Sequence, residues 1–158
     1  MILYYLDASA WIKRYCQEDG SAWIADFFAD GPAIACSALG FIEVLCTFGR
    51  KKKAGEMTAR QCREKGREAE RDFNLFYRTF LTAEILETAR VLPARCALRG
   101  SDTVHLASAL YVRKSGVIQA EEVKFVASDD ELATEAEKNG FHVLKPSDIR
   151  PRGHQPSK

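Results

Sequence analysis

Near its start the chain reads Ile2-Leu3-Tyr4-Tyr5-Leu6-Asp7, a continuous apolar run that ends at an acid. Branched and aromatic residues without a polar interruption are typical of a strand that is buried on both faces. Such strands lie in parallel sheets, which are covered by helices on both sides. The run therefore predicts a central parallel strand, and Asp7 is placed where that strand ends.

Strand and helix signals alternate along the rest of the chain. Ser9, Ser21, Ser37, Thr58 and Thr82 stand where helices are expected to begin, as capping residues do. The alternation predicts a doubly wound α/β domain, a three-layer α/β/α sandwich with a mainly parallel central sheet. The predicted strands cover 2–6, 33–36, 123–127 and 141–144, with a further one favoured within 75–81, and the predicted helices cover 9–16, 22–29, 38–53, 58–73, 82–92, 101–114 and 130–139.

The composition fits one soluble globular domain, because 158 residues with 46% hydrophobic and 28% charged side chains lie near the average. The first apolar run is shorter than a signal-peptide core of ~7–15 residues or a membrane span of ~20, so we expect a cytoplasmic protein. Five cysteines without a C-x-x-C pair predict free, mostly buried thiols. We assign residues 1–145 to the domain and expect 146–158, which is rich in proline, to be a flexible tail.

Acidic residues stand where ligands bind in folds of this class, outside the carboxyl ends of the strands. Asp7 follows the first strand and Asp129 follows the strand at 123–127, while Asp102 begins a helix and Glu43 lies beside an apolar helix stripe. Taken singly, Asp102 and Glu43 are explained by helix dipoles or surface exposure. If all four converged, however, their repulsion would require a cation, and hard divalent metals bind carboxylate oxygens.

A basic block stands out from the nearly neutral chain. Residues 50–71 carry nine Lys and Arg residues against four Glu, while the net charge of the whole chain is only +1. The block begins with Arg50, Lys51, Lys52 and Lys53, directly after the helix that carries Glu43. These four residues are candidates for contact with a polyanionic partner such as RNA, and a solvated helix face that keeps the protein soluble is the alternative.

The sequence around the acids resembles the motifs of PIN-domain nucleases. The four matching segments are Tyr5-Leu6-Asp7-Ala8-Ser9-Ala10, Ser37-Ala38-Leu39-Gly40-Phe41-Ile42-Glu43-Val44, residues 98–110 around Asp102, and residues 125–132 around Asp129. They follow one another in order from residue 1 to about 145. The small, single-domain build is similar to the VapC-type toxins of bacterial and archaeal toxin–antitoxin pairs. The resemblance implies a PIN-like fold.

The resemblance also implies the roles of individual residues. Asp7, Glu43 and Asp102 match the metal-binding acids, Asp129 matches the fourth acidic position, and all four are expected to be catalytic. Ser9 matches a hydroxyl position that is expected to form a hydrogen bond in the site.

Two positions in these motifs leave alternatives open. Asp130 stays an alternative to Asp129 as the fourth acid, although the spacing to Leu132 favours Asp129. His105 lies on the same helix face as Asp102, and we interpret it as a structural histidine, with contact to metal or phosphate as the alternative.

The implied function is that of an endoribonuclease that depends on Mg²⁺, with Mn²⁺ as a substitute, and hydrolyses RNA with metal-activated water. The implied partners are RNA, a cognate antitoxin and a second copy of the chain, with no membrane. A non-catalytic RNA- or protein-binding module is one alternative. A phosphatase with Asp7 as nucleophile is another, but it would need a second Asp where Ser9 stands. The chain lacks the glycine-rich loops of nucleotide-binding enzymes.

Overall fold

The computed structural model describes residues 1–116 and 119–152. In this part of the chain all the strand pairings of a five-stranded sheet are parallel, and the strand order is β3-β2-β1-β4-β5. The strands are β1 (Ile2–Leu6), β2 (Ala33–Ser37), β3 (Tyr77–Thr79), β4 (Glu122–Val126) and β5 (His142–Leu144). The helices are α1 (Ala8–Trp11), α2 (Ser21–Ala29), α3 (Ala38–Lys53), α4 (Ala59–Leu75), α5 (Ala83–Val91), α6 (Gly100–Ser115) and α7 (Asp130–Lys138). The α/β sandwich predicted from the sequence is confirmed.

The first strand lies in the centre of the sheet because its two faces contact different hydrophobic clusters. Side chains alternate across a strand. Leu3 and Tyr5 therefore pack into one cluster with residues of α5, α6 and α7, while Leu6 packs into the other with residues of α1 to α4. The chain order reverses at β1, which has β2 on one side and β4 on the other. Ligands bind at the carboxyl ends of strands that flank such a reversal.

Several boundaries differ from those predicted, and two of the differences have a clear physical reason. Asp7 rather than Ser9 caps the first helix, because its carboxylate accepts the backbone N–H of Ser9 at 3.0 Å, and α1 ends at Trp11 before a 3₁₀ turn. Helix α4 extends to Leu75, so only Tyr77–Thr79 of the segment 75–81 forms a strand. Aromatic residues favour strands, but those at the end of α4 pack against other rings instead.

The predicted tail starts with residues that contact the domain. Pro146–Asp148 forms a 3₁₀ turn in which Pro146 is buried, and Arg152 pairs with Asp30 and donates its backbone N–H to Asp26. Residues 153–158 lie outside the described residues, so the flexibility of the tail and the boundary at 145 stay predictions. Among the cysteines, all of which are free, Cys16, Cys36 and Cys96 are buried and Cys46 is exposed. In the described part of the chain, no helix is both long and apolar enough to cross a membrane.

Helix α4 is held to the domain mainly by aromatic and ionic contacts, because Ala69 is its only fully buried residue. Phe73 stacks on Phe41 of α3 with the ring centroids 4.5 Å apart and the planes 7° from parallel. Asp72 accepts hydrogen bonds from Arg14, at 2.5 Å, and from the hydroxyl of Tyr15. These contacts join α4 to the segment that follows Asp7.

Replacement of Phe73 by Ala should therefore lower the free energy of unfolding by about 2 kcal/mol, because the stacked ring is lost from a half-buried position. Leu75→Ala on the same helix is the matched control. Its side chain is 83% exposed, and we expect a change within about 0.5 kcal/mol. Urea unfolding of both variants measures the difference, and equal losses would mean that the stack does not anchor α4.

Candidate active site

The fold brings all four predicted acids to the carboxyl edge of the sheet. Asp7 directly follows β1, Glu43 lies in the second turn of α3, Asp102 lies in the first turn of α6, and Asp129 is the N-cap residue of α7. Asp7 and Asp102 are only 3% and 6% exposed. Because buried carboxylates are costly unless they are paired, the neighbours of these acids determine what the site can do.

His105 of α6 lies among the acids and has partners on both ring nitrogens. Its Nε2 is 2.6 Å from Oε2 of Glu43 and 3.3 Å from Oδ1 of Asp7, and its Nδ1 is 3.2 Å from the hydroxyl of Tyr5. The ring is fully buried, as expected of a structural histidine. A Cβ atom at Gly40 would lie 3.0 Å from Cε1 of this ring, so the glycine lets α3 approach α6. The imidazole thus connects α3, α6 and β1.

Ser9 forms a second connection between elements of the site. Its hydroxyl donates to Oδ2 of Asp7 at 2.5 Å and accepts the backbone N–H groups of Ser128 at 2.9 Å and Asp129 at 3.2 Å. The sequence predicted that this hydroxyl forms a hydrogen bond in the site, and these three groups are its partners. Ser9 fixes one oxygen of Asp7 and the start of α7 at the same time.

Arg99, which precedes α6, links the remaining two acids. Its Nε donates to Oδ2 of Asp102 at 2.9 Å, and its Nη2 donates to Oδ2 of Asp129 at 3.4 Å. Asp130, the alternative fourth acid, instead pairs with Lys145, and its side chain is 83% exposed. Of the two neighbouring acids, Asp129 is therefore the one that lies at the site.

The pKa directions show how charge is distributed in this cluster. Burial acts to lower the pKa of His105, but Asp7 and Glu43 more than offset it and the pKa is raised. Burial acts to raise the pKa of Glu43, yet His105, Ser101 and Arg99 hold it below its usual value. The pKa of Asp102 is raised by burial, despite the nearby Arg99, and the charges of Asp7 and Asp129 add to that increase. The guanidinium of Arg99 is thus a cation beside the carboxylates, and the acids around His105 favour its protonated form.

This arrangement could hold a metal ion. Among the described residues, Asp7, Glu43 and His105 form a group in which one ligand atom from each lies within 4.8 Å of the others, and Asp102 and Asp129 are outside that group. Carboxylate oxygens suit hard cations, and imidazole nitrogen is also accepted by Mn²⁺ and the later transition metals. The hydroxyl oxygen of Ser128, beside Asp129, is buried without a hydrogen-bond partner in the described part of the chain.

The first four residues of the basic block lie at the far end of α3, and their surroundings differ. Lys51 pairs with Glu56 at 3.1 Å and with Glu18 at 3.8 Å. Arg50 donates to the hydroxyl of Thr47, which in turn donates to the backbone oxygen of Glu43. Arg50 therefore extends along the side of α3 that carries Glu43, about 10 Å from it along the axis. Lys52 and Lys53 are exposed.

Sequence reasoning missed the contacts of two residues. Arg99 lies three residues before Asp102, a spacing that places two side chains next to each other at the start of a helix. That spacing was a usable signal for the ion pair. For the bond from His105 to Glu43 there was no such signal, because the two residues are 62 positions apart.

The family to which the chain belongs is shown by comparison with known proteins. A family model described as PIN domain matches residues 4–138, and the chain belongs to this family. The predicted resemblance is therefore confirmed. The chain is also similar to Ribonuclease VapC45 of Mycobacterium tuberculosis, with 34% identity over 124 residues that cover 76% of this chain and 83% of the relative.

Two solved structures have a similar fold. FitAcB from Neisseria gonorrhoeae gives a TM-score of 0.66 at 13% identity, over 94% of this chain and 100% of that one. A toxin–antitoxin complex from Klebsiella pneumoniae gives 0.61 at 16% identity, over 92% and 99%. At such low identities these likenesses show the fold alone.

Replacement of Ser9 by Ala should leave the backbone N–H groups of Ser128 and Asp129 without their acceptor. We expect a loss of about 1–3 kcal/mol in the free energy of unfolding and faster hydrogen exchange at those two amides. Ser147→Ala is the control, because Ser147 is exposed and its hydroxyl donates to the adjacent Asp148. Unchanged exchange at both amides in Ser9→Ala would show that the hydroxyl does not fix the loop.

Proposed function

We propose that the chain is a divalent-metal-dependent endoribonuclease that acts as the toxin of a toxin–antitoxin pair. The observation that carries the proposal is the convergence of Asp7, Glu43, Asp102 and Asp129 at one edge of a PIN-domain sheet. The VapC relative is named a ribonuclease, which supports RNA as the substrate.

The residues of the site fit a bound cation. Two of the carboxylates are almost fully buried, and the acids outnumber the cations that face them. Asp7 and Glu43, with Asp102 and Asp129, would hold the ion, and Mg²⁺ is proposed with Mn²⁺ as a substitute because the ligands are mainly carboxylates. When bound, such an ion supplies the Lewis acidity that makes water nucleophilic and offsets the charge on a phosphodiester.

The protein's own residues orient the acids and hold protons beside them. Ser9 directs Oδ2 of Asp7, which leaves Oδ1 on the side of His105. His105 and Glu43 share a hydrogen bond between Nε2 and Oε2, so a proton is held at the edge of the cluster. Because the imidazole is also bonded to Tyr5, its ring cannot turn without breaking contacts on both sides. The carboxylates and the imidazole are therefore held in place before RNA binds, which lowers the entropic cost of ordering them when it does.

The proposed partners are RNA and an antitoxin. One structure with the same fold is described as a toxin–antitoxin complex, which supports a protein partner of this kind. The homodimer and the cytoplasmic location stay predictions. An aspartyl-phosphatase reaction is disfavoured, because the residue two positions after Asp7 is Ser9, whose hydroxyl is already bonded to Asp7 and to two backbone amides.

Replacement of Asp7 by Asn keeps the shape of the side chain and removes its charge. We expect RNA cleavage in Mg²⁺ or Mn²⁺ to fall by about 100-fold or more, with weaker Mn²⁺ binding, because even residues that support a metal ligand contribute 10–100-fold. Cleavage is followed on total RNA, whose new ends are then sequenced, and Mn²⁺ binding is followed by electron paramagnetic resonance of the free ion.

Asp130→Asn is the control for this change, because its exposed carboxylate pairs with Lys145 away from the other acids. It should cleave RNA and bind Mn²⁺ as the unmodified protein does. Unmodified cleavage rates in Asp7→Asn would overturn the assignment of Asp7. An unmodified protein that binds RNA but never cleaves it with either metal would indicate a non-catalytic binding module.

The basic block offers a second test, in which Arg50 and Lys52 are compared. Arg50→Gln should weaken RNA binding. The slope of the logarithm of the affinity against the logarithm of the salt concentration should become shallower by roughly 0.7, the value for one phosphate contact of a single strand. Lys52→Gln, on the other side of α3, should change neither. Fluorescence anisotropy with a labelled single-stranded RNA of mixed sequence, in the Asp7→Asn background, measures both. Equal slopes for all proteins would identify the block as a solvated surface.

A further inference from the structure

Arg99 occupies an unusual place in the cluster of acids. It stands just before α6 with an extended backbone, so its side chain turns back over the first turn of the helix towards Asp102 and across to Asp129. The side chain is 71% exposed, whereas that of Asp102 is 8% exposed. The guanidinium thus lies at the mouth of the site, between buried acid and solvent.

The contacts of this guanidinium are of the kind that can be exchanged. The guanidinium is largely exposed although Asp102 is buried, so water and ions can reach the cation of both pairs. The bond to Asp102 is short, at 2.9 Å, but that to Asp129 is 3.4 Å. A divalent cation carries twice the charge and binds carboxylate oxygens directly, so it competes with Arg99 for both acids.

A displaced Arg99 would remain close to the acids, because its backbone is fixed by the start of α6. The guanidinium has five N–H donors in a planar fork, and this shape matches the oxygens of a phosphate as well as those of a carboxylate. A phosphodiester that approaches the acids from solvent would meet this exposed cation at the edge of the site. The same side chain can therefore serve the acids in one state and the RNA backbone in another.

We propose that Arg99 is an exchangeable cation, which neutralises Asp102 and Asp129 before metal binds and contacts a phosphate of the RNA substrate afterwards. This inference rests on the proposed nuclease function. It differs from a simple structural role, in which Arg99 would hold Asp102 in place for the metal. The two roles predict opposite effects on metal affinity.

The first measurement is Mn²⁺ binding without RNA, by electron paramagnetic resonance of the free ion. Arg99→Gln removes the competing charge and should bind Mn²⁺ about fivefold more tightly, a change of about 1 kcal/mol in the free energy of binding. Arg99→Lys keeps the charge and should bind Mn²⁺ within about twofold of the unmodified protein. Arg90→Gln is the matched control, because Arg90 is an exposed arginine paired with Glu87 of its own helix, and it should change nothing.

The second measurement is single-turnover cleavage of a labelled single-stranded RNA of mixed sequence at saturating Mn²⁺. Cleavage by Arg99→Gln should need a higher protein concentration to reach half of its maximal rate. The slope of the logarithm of that concentration against the logarithm of the salt concentration should fall by roughly 0.7. Arg99→Lys should keep the salt dependence, because one charge still meets the phosphate. Arg90→Gln should behave as the unmodified protein.

Weaker or unchanged Mn²⁺ binding in Arg99→Gln would overturn the proposal and assign Arg99 a positioning role towards Asp102. An unchanged salt dependence in that variant, or the same changes in Arg90→Gln, would also overturn it, since no specific phosphate contact would then exist. If the nuclease proposal itself were wrong, the unmodified protein would neither bind Mn²⁺ nor cleave the RNA. The two failures are therefore distinguished by the behaviour of the unmodified protein.

Discussion

Asp7 and Asp102 carry carboxylates that are almost completely withdrawn from water, and Glu43 and Asp129 add two more at the same edge of the sheet. Charges in such surroundings repel one another strongly and lose their hydration. Burial and the charges of neighbouring acids raise the pKa of Asp102, and the charges of Asp7 and Glu43 raise the pKa of His105. A buried imidazole and an exposed guanidinium lie among these acids. The site is therefore organised around the balance of charge.

The architecture of the sheet makes this concentration of charge possible. Parallel strands end at a common edge, so Asp7 after β1 and the loop after β4 meet there, and α3 and α6 begin beside them. Gly40 lets α3 come close enough to α6 for His105 to reach Glu43. Ser9 then joins Asp7 to the loop that leads into α7. Asp7, Glu43 and Asp129 are thus held by contacts to other elements, and these contacts depend on the packing of the whole domain.

The surface around this edge explains how one site could serve both an ion and a polyanion. Two of the acids are buried and two are partly exposed, while Arg99 lies at the edge of the site and Arg50 extends along α3 from Glu43. Under the proposed function, the carboxylates would bind the metal and the guanidinium groups would contact the phosphates of RNA. The chain's membership of the PIN-domain family is consistent with that proposal.

The sequence alone determined the order and class of the elements. The apolar run at 2–6 predicted the central strand because burial on both faces needs uninterrupted apolar residues, and the capping residues Ser37, Thr58 and Thr82 predicted helix starts through local hydrogen bonds. Asp7 and Asp129 were found because each follows a predicted strand, while Glu43 and Asp102 were assigned through the resemblance to the PIN-domain motifs. The cap at Asp7 was missed because two polar residues only two positions apart could each serve, and only the loop before α7 decides that Ser9 bonds elsewhere.

Tertiary structure alone decided what surrounds the acids. Glu43 and His105 are 62 residues apart, and Arg99 and Asp129 are 30 apart, so no local spacing connects them. It also separated Asp129 from Asp130, because the direction in which α7 leaves its strand turns one carboxylate towards Arg99 and the other towards Lys145. Local patterns determine where helices and strands form, since their hydrogen bonds are local. The neighbours of a charge depend on how those elements pack, which is a property of the whole chain.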